Sequence, residues 1–390
     1  MRTNNIFKFL AAGAFVVGLA SCESSDIEYP DYDEQTVYFA YQTPIRTMVM
    51  GMDDLGSTAD NDSKACKIYS TMGGAYNGKD IKVEVAVDNS LCDNLYYDLA
   101  CTDPVLAMPS SYYQLSGSTI DYKGELSGSV DVQLTDAFFN DPKSYEAKYV
   151  IPVVMKNQTG ATRILSGEYN PGITAGSRFD GDAWFVAPKD YVLYCVRYIS
   201  KYEGYYLPKG HEVTNAVDLA KLQDVSLNDA DLAWEYISND KAIFLDTKGL
   251  NTVVLPVKAY TSKTEGSETL TRTYTTEAIL TFSGETCTVS CSGTGTWEHE
   301  EIVGGEKVTK TEQVNVTLTG NGTYTEKAEK YAWGTDPATK KPKLRDGLKL
   351  DFEATWNCAE VTKFKADYDM ALQRRGSGNT VETFSVTLKK

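Results

Sequence analysis

From residue 81 the chain reads Ile-Lys-Val-Glu-Val-Ala-Val-Asp, with Ile81, Val83, Val85 and Val87 alternating against Lys82, Glu84, Ala86 and Asp88. A two-residue period sends successive side chains to opposite faces of a strand, so such a run buries one face and wets the other. Val130, Val132 and Leu134 repeat the pattern against Asp131 and Gln133. Tyr149 to Met155 is an unbroken apolar run, which predicts a strand covered on both faces with Pro152 at an edge or bulge. Clusters of Gly, Asn, Asp and Ser at 73–78, 116–129 and 140–144 punctuate these runs. Short strands at that spacing predict a β-sandwich.

Residues 164–189 break any period through Ser166-Gly167, Asn170-Pro171-Gly172, Gly176-Ser177 and Asp180-Gly181-Asp182, which predicts a connection between two domains. Alternation then resumes in an apolar strand at Tyr191–Ile199, followed by Tyr202, Tyr205 and Tyr206. Residues 215–236 carry the one helical pattern, with Ala216, Leu219, Leu222 and Trp234 on one side. Strand-like segments rich in Thr, Val and Tyr fill the rest, with hairpin turns expected at Gly320-Asn-Gly322 and Gly376-Ser-Gly378. The reading is all-β: a sandwich over 36–165, a linker over 166–182, and over 183–390 an antiparallel barrel of the lipocalin type or a second sandwich.

The first residues set a different constraint. Residues 1–21 combine a basic start (Arg2, Lys8) with an apolar stretch too short to span a bilayer, the pattern of a secretory signal. It ends in Leu19-Ala20-Ser21-Cys22, which looks like a bacterial lipobox, and makes Cys22 the expected site of a diacylglycerol anchor. An acidic tether follows over 22–35, with six acids and no base between Glu23 and Glu34. The formal net charge is −16; loss of Arg2 and Lys8 would take it to −18. Such an excess of acids opposes binding to nucleic acid, whose phosphates call for Lys and Arg. Seven cysteines remain after Cys22, an odd number, so at least one stays free.

Nothing in the chain spells out a catalytic motif. There is no Gly-x-Ser-x-Gly elbow, no P-loop, no Rossmann glycine pattern and no C-x-x-C, and the two histidines, His211 and His299, stand far apart. The reading is therefore not an enzyme, with no cofactor and no metal. Sugar capture asks for less: flat rings against C–H faces and a polar rim for hydroxyls. The candidates are Trp333 with Tyr331 and Asp336, beside a Pro/Gly/Lys loop, and Trp297 between Glu298 and Glu300. Trp184, Trp234 and Trp356 lie in apolar patterns and are expected in the core, as are the strand tyrosines 96, 97, 112, 113, 202, 205 and 206.

Several runs then carry a resemblance: Val37-Tyr-Phe-Ala-Tyr-Gln-Thr-Pro-Ile-Arg-Thr47, Asp88-Asn-Ser-Leu-Cys-Asp-Asn94, Met108-Pro-Ser-Ser-Tyr-Tyr113, Val132-Gln-Leu-Thr-Asp-Ala-Phe-Phe139 and Tyr149-Val-Ile-Pro-Val153. Together they resemble the N-terminal domain of Bacteroidetes surface lipoproteins of polysaccharide-utilisation loci, a domain also found before some N-glycan endoglycosidases. The resemblance implies an immunoglobulin-like fold over residues 35–165. It also implies an outer-membrane, surface-exposed protein that binds an oligosaccharide beside a SusC/SusD-type uptake pair, in the manner of SusE and SusF. The acidic stretch after Cys22 resembles the surface-export signal of such lipoproteins. No glycosidase barrel follows the domain, so the enzyme is not carried over. The alternatives are an adhesin or structural surface protein that binds other proteins, and an uncharacterised glycoside hydrolase. The acidic surface favours a neutral ligand over a polyanion, unless a local basic patch overrides it.

Overall fold

The computed structural model describes residues 33–43, 45–51, 59–75, 80–208, 242–329, 335, 337–341, 344–359, 362–374 and 381–390. The expected signal, Cys22, the helix at 215–236 and the turn at 376–378 lie outside them.

The described chain is nearly all strand. The first fourteen strands are β1 (Gln35–Tyr38), β2 (Ile45–Met50), β3 (Ala65–Gly74), β4 (Lys82–Val87), β5 (Leu95–Tyr96), β6 (Leu106–Ala107), β7 (Tyr113–Leu115), β8 (Thr119–Asp121), β9 (Ser127–Leu134), β10 (Tyr149–Thr159), β11 (Arg163–Ile164), β12 (Glu168–Tyr169), β13 (Trp184–Val186) and β14 (Tyr191–Tyr198). One layer runs β11-β1-β3-β9 and the other β8-β4-β10-β14-β2, joined only by the pair Asp121–Ser129. The alternating residues meet between them: Ile68, Val130 and Val132 from the first layer pack with Val83, Val85, Ile151 and Val153 from the second. This is the expected sandwich.

Pro152 sits neither at an edge nor at a bulge. β10 pairs with β6 at Tyr149–Val150 and with β4 only from Val153, so the missing N–H falls where the partner changes. The Pro152 carbonyl still accepts from the Asp88 amide at 2.9 Å. The bulge in β10 comes later, between Met155 and Asn157.

The second unit holds β15 (Gly204–Pro208), β16 (Ile243–Gly249), β17 (Thr252–Glu265), β18 (Glu268–Ser283), β19 (Thr286–Cys291), β20 (Thr294–Val303), β21 (Glu306–Glu329), β22 (Arg345–Asn357) and β23 (Thr362–Arg374). Each pairs with its neighbours in an antiparallel meander, and β23 pairs back to β15. β19 and β20 share one place between β18 and β21. The result is a closed barrel, which decides against a second sandwich. Its interior is packed with side chains, among them Trp356 against Tyr274 and Phe364 at 5.8 and 5.4 Å, and Tyr202 stacked on Phe282 at 3.7 Å.

Two expectations change here. Gly320-Asn-Gly322 makes no hairpin; β21 runs straight through it, pairing with β19 and β22. A Cβ on Gly320 would lie 2.3 Å from the Phe352 Cβ and the Asp351 carbonyl, so the glycines serve close strand packing, not a turn. The tight turns lie at 266–267, 284–285 and 304–305; Gly304 and Gly305 take φ of 65° and 92°, as a type I′ hairpin requires.

The division of the chain also differs. The strand at 191–198, expected in the second domain, pairs with β10 and β2 in the sandwich. After the barrel, β24 (Val381–Phe384) pairs with β2, and β25 (Thr387–Leu388) with β5. The barrel is thus inserted between two strands of the sandwich sheet. The passage into it is short: Ile199 donates to Met50 on the sandwich side, while Ser200 bonds Thr247 and Leu250 on the barrel side. The 166–182 stretch, expected as the linker, instead leads through the β12–β13 pair on the sandwich.

Candidate functional site

β1 stops at Tyr38, paired with Thr71, while β3 continues back to Ala65. Among the described residues no strand pairs with that stretch of β3 on this side. The chain crosses from one layer to the other between β1 and β2, and β2 lies parallel to β14. Across the gap the half-buried Tyr194 donates from its hydroxyl to the Lys67 carbonyl. Burial pushes the Tyr194 phenol up, so it stays a neutral donor at any ordinary pH.

Between these strands opens a cleft of about 370 Å³. Its floor is apolar, with Phe39, Val49 and Val192. Its mouth carries two exposed rings, Tyr41 at 53% and Tyr69 at 59% exposure. The Arg46 guanidinium lies 3.6 Å over the Tyr41 ring. Stacking satisfies the face of the cation and leaves its N–H edge free to donate. Thr47, 1% exposed, borders the cleft, but it pairs with Cys195 and so turns its side chain to the face that holds Ile45 and Cys195, away from Arg46 and Met48. Ser70 is satisfied already, its hydroxyl 2.8 Å from that of Tyr122. Rings, one cation and hydroxyls around an apolar floor suit a ligand that is apolar on its faces and hydroxylated on its rim.

Of the site residues singled out from sequence, Trp297 alone falls among the described residues. Tyr331, Trp333, Asp336 and Cys22 are outside the described residues. Trp297 is no surface platform: it is 4% exposed, turned into the barrel, and stacked on the buried His299 at 3.7 Å and 14°. Alternation explains it, since Glu298 takes the outer face while Trp297 and His299 take the inner one. His299 Nε2 lies 3.0 Å from one carboxylate oxygen of Glu301, whose other oxygen is ion-paired with Lys310 at 2.6 Å. No group of three or more metal-ligating side chains occurs among the described residues. Trp184, expected in the core, is half-buried and stacked on Tyr169 at 4.1 Å, with its Nε1 donating to Ser177. Trp356 is fully buried.

Tyr41, Arg46 and Tyr69 were not among the expected site residues. Tyr41 and Arg46 fall within Val37–Thr47, a run whose pattern reads as structural. Tyr69 had a signal: Cys66, Ile68 and Ser70 take the inner face of β3, which sends this ring outward.

Comparison with known proteins follows the division into sandwich and barrel. Residues 32–162 match a family model described as an N-terminal domain. Residues 201–376 match a domain of unknown function, DUF5627. No curated protein matches. A crystal structure of a Bacteroides ovatus protein of unknown function aligns with TM-score 0.69 and 28% identity, over 92% of this chain and all of that one. A second Bacteroides ovatus protein of unknown function aligns at TM-score 0.36 with 9% identity, over 86% and 90% of the two chains. At that score it bears on neither fold nor function here. Over nearly its whole length, then, the chain is similar to a Bacteroides ovatus protein of unknown function, with a described family domain in each half.

Proposed function

We propose that this protein is a non-catalytic glycan-binding lipoprotein of the cell surface, which captures oligosaccharides in the cleft between β1, β2, β3 and β14. The observation that carries the reading is the cleft mouth, where Arg46 lies over exposed Tyr41 and the exposed Tyr69 lines the same apolar-floored cleft. Tethering through Cys22 to the outer membrane, and work beside a SusC/SusD-type uptake pair, complete the proposal; the Leu19–Cys22 pattern and the sequence resemblance support them. The rival is a protein-binding surface role, which the exposed Phe185 beside the Tyr169–Trp184 stack favours.

Affinity electrophoresis and a glycan array with residues 24–390 test the proposal, next to Tyr41→Ala and Tyr69→Ala. Retardation by a glycan should weaken in each variant on the order of tenfold, about 1.4 kcal/mol per ring. Failure of the folded protein to bind any glycan would favour the protein-binding role. Release of products from a bound glycan would replace capture with hydrolysis.

A further inference from the structure

The charge around the cleft is opposite in sign to that of the protein. The chain carries −16 overall, yet none of the fourteen described residues lining the cleft is acidic, and one of them, Arg46, is a cation. Several cations of this protein pair with carboxylates, such as Arg178 with Asp190 at 2.8 Å, Arg163 with Glu34 at 3.6 Å and Lys148 with Asp103 at 2.6 Å, while Lys189, Lys258 and Lys389, like Arg46, lie over tyrosine rings. No carboxylate among the described residues pairs with Arg46; its one recorded partner is the Tyr41 ring. A guanidinium held flat on an aromatic face is pre-oriented, and its free edge has the fork geometry that grips a carboxylate through two parallel hydrogen bonds.

Resting on the glycan reading above, we infer that the cleft takes an oligosaccharide bearing a single carboxylate, a sialic or uronic acid residue, with that carboxylate on Arg46. The ring of the acidic sugar packs against Tyr41 or Tyr69. A single acid fits better than a polyanion. The Debye length is about 8 Å at physiological salt, so distant acids of the protein are screened from one carboxylate in the cleft. A polymer with a charge on every sugar would extend beyond the cleft and meet them.

A singly charged ligand differs from the neutral one expected from overall charge, and falls under the exception for a local basic group. What a bound group feels is the local wall, and here that wall holds one arginine and no acid.

The test is calorimetric titration of residues 24–390 with two matched pairs. One pair is 3′-sialyllactose and its carboxyl-reduced alcohol; the other is a xylo-oligosaccharide ending in glucuronic acid and its reduced form. The acid of at least one pair should bind about tenfold more tightly than its alcohol, the worth of a charge-assisted hydrogen-bonded pair. Arg46→Gln should abolish that preference, bringing the acid down to the affinity the same variant shows for the alcohol, and Arg46→Lys should restore only part of it. Arg46 is exposed, so thermal unfolding of the variants should match the parent. Equal binding of acid and alcohol, or a preference that survives Arg46→Gln, would overturn the inference and leave glycan capture standing. Binding of neither member of either pair would also overturn it; capture itself would then fall only if the neutral glycans of the array failed too.

Discussion

At the residue scale the aromatic side chains divide by what their neighbours allow. Tyr41 and Tyr69 stay in water because β1 ends before β3 does, whereas Trp297 and Trp356 alternate into the packed interior of the barrel. Trp356 fills that interior and donates from Nε1 to the Thr275 carbonyl at 3.2 Å. Trp356→Ala should cost about 3–5 kcal/mol, read as a fall in the unfolding midpoint. Cysteines offer a second check. Burial pushes the Cys287 thiol up to about 12, so almost no thiolate exists at pH 8. Iodoacetamide should leave Cys287 unlabelled in the folded protein and label it after denaturation; labelling of the native state would mean that the barrel opens there. Which face each residue takes was legible from alternation, Tyr69 included. What stands opposite that face was not, because two-residue periodicity carries no information on the partner strand.

At the scale of elements, β4, β9, β10 and β14 of the sandwich and most strands of the barrel were readable from their patterns, and the other sandwich strands and the turns less so. Gly320-Asn-Gly322 has the composition of a hairpin, and only the neighbouring strand reveals why it is not one: Phe352 and Leu350 press on the two glycines. A side chain at Gly320 must displace the β22 backbone. Gly320→Val should therefore destabilise the barrel by about 1–3 kcal/mol, while Gly266→Asn, in an open turn at φ 62°, should change the midpoint little. Equal effects of the two substitutions would contradict the close packing of β21 on β22. The opposite error at 166–182 has the same origin. Gly and Pro there broke the period without ending the domain, because β14 returns to the sheet beyond them.

At the scale of the whole molecule, the two units meet at a buried acid. Glu203, 3% exposed, lies between the sandwich strand β14 and the barrel, and it accepts hydrogen bonds from the Thr247 amide and hydroxyl. Burial raises its carboxyl above the ordinary glutamate value, and outweighs Thr247 and Arg197, which act to lower it. A carboxyl raised on folding adds stability that is complete below the ordinary glutamate value and is lost as pH rises through the raised one. Glu203→Gln should thus raise the unfolding midpoint at pH 8 and leave it unchanged near pH 4. A constant difference across that range would remove titration of Glu203 as the cause.

The place of the barrel in the chain has a further consequence, for the order of assembly. β2 is paired on one side by β14 and on the other by β24, and Ile45 finds Phe384 only after every strand of the barrel has been made. The barrel is a meander of neighbours and can close on its own local contacts, while the sandwich waits with an open edge for the last strand. A chain truncated after Arg374 would keep all nine strands of the barrel and leave β2 uncovered, so the aggregation it shows should start from the half of the protein that was not cut.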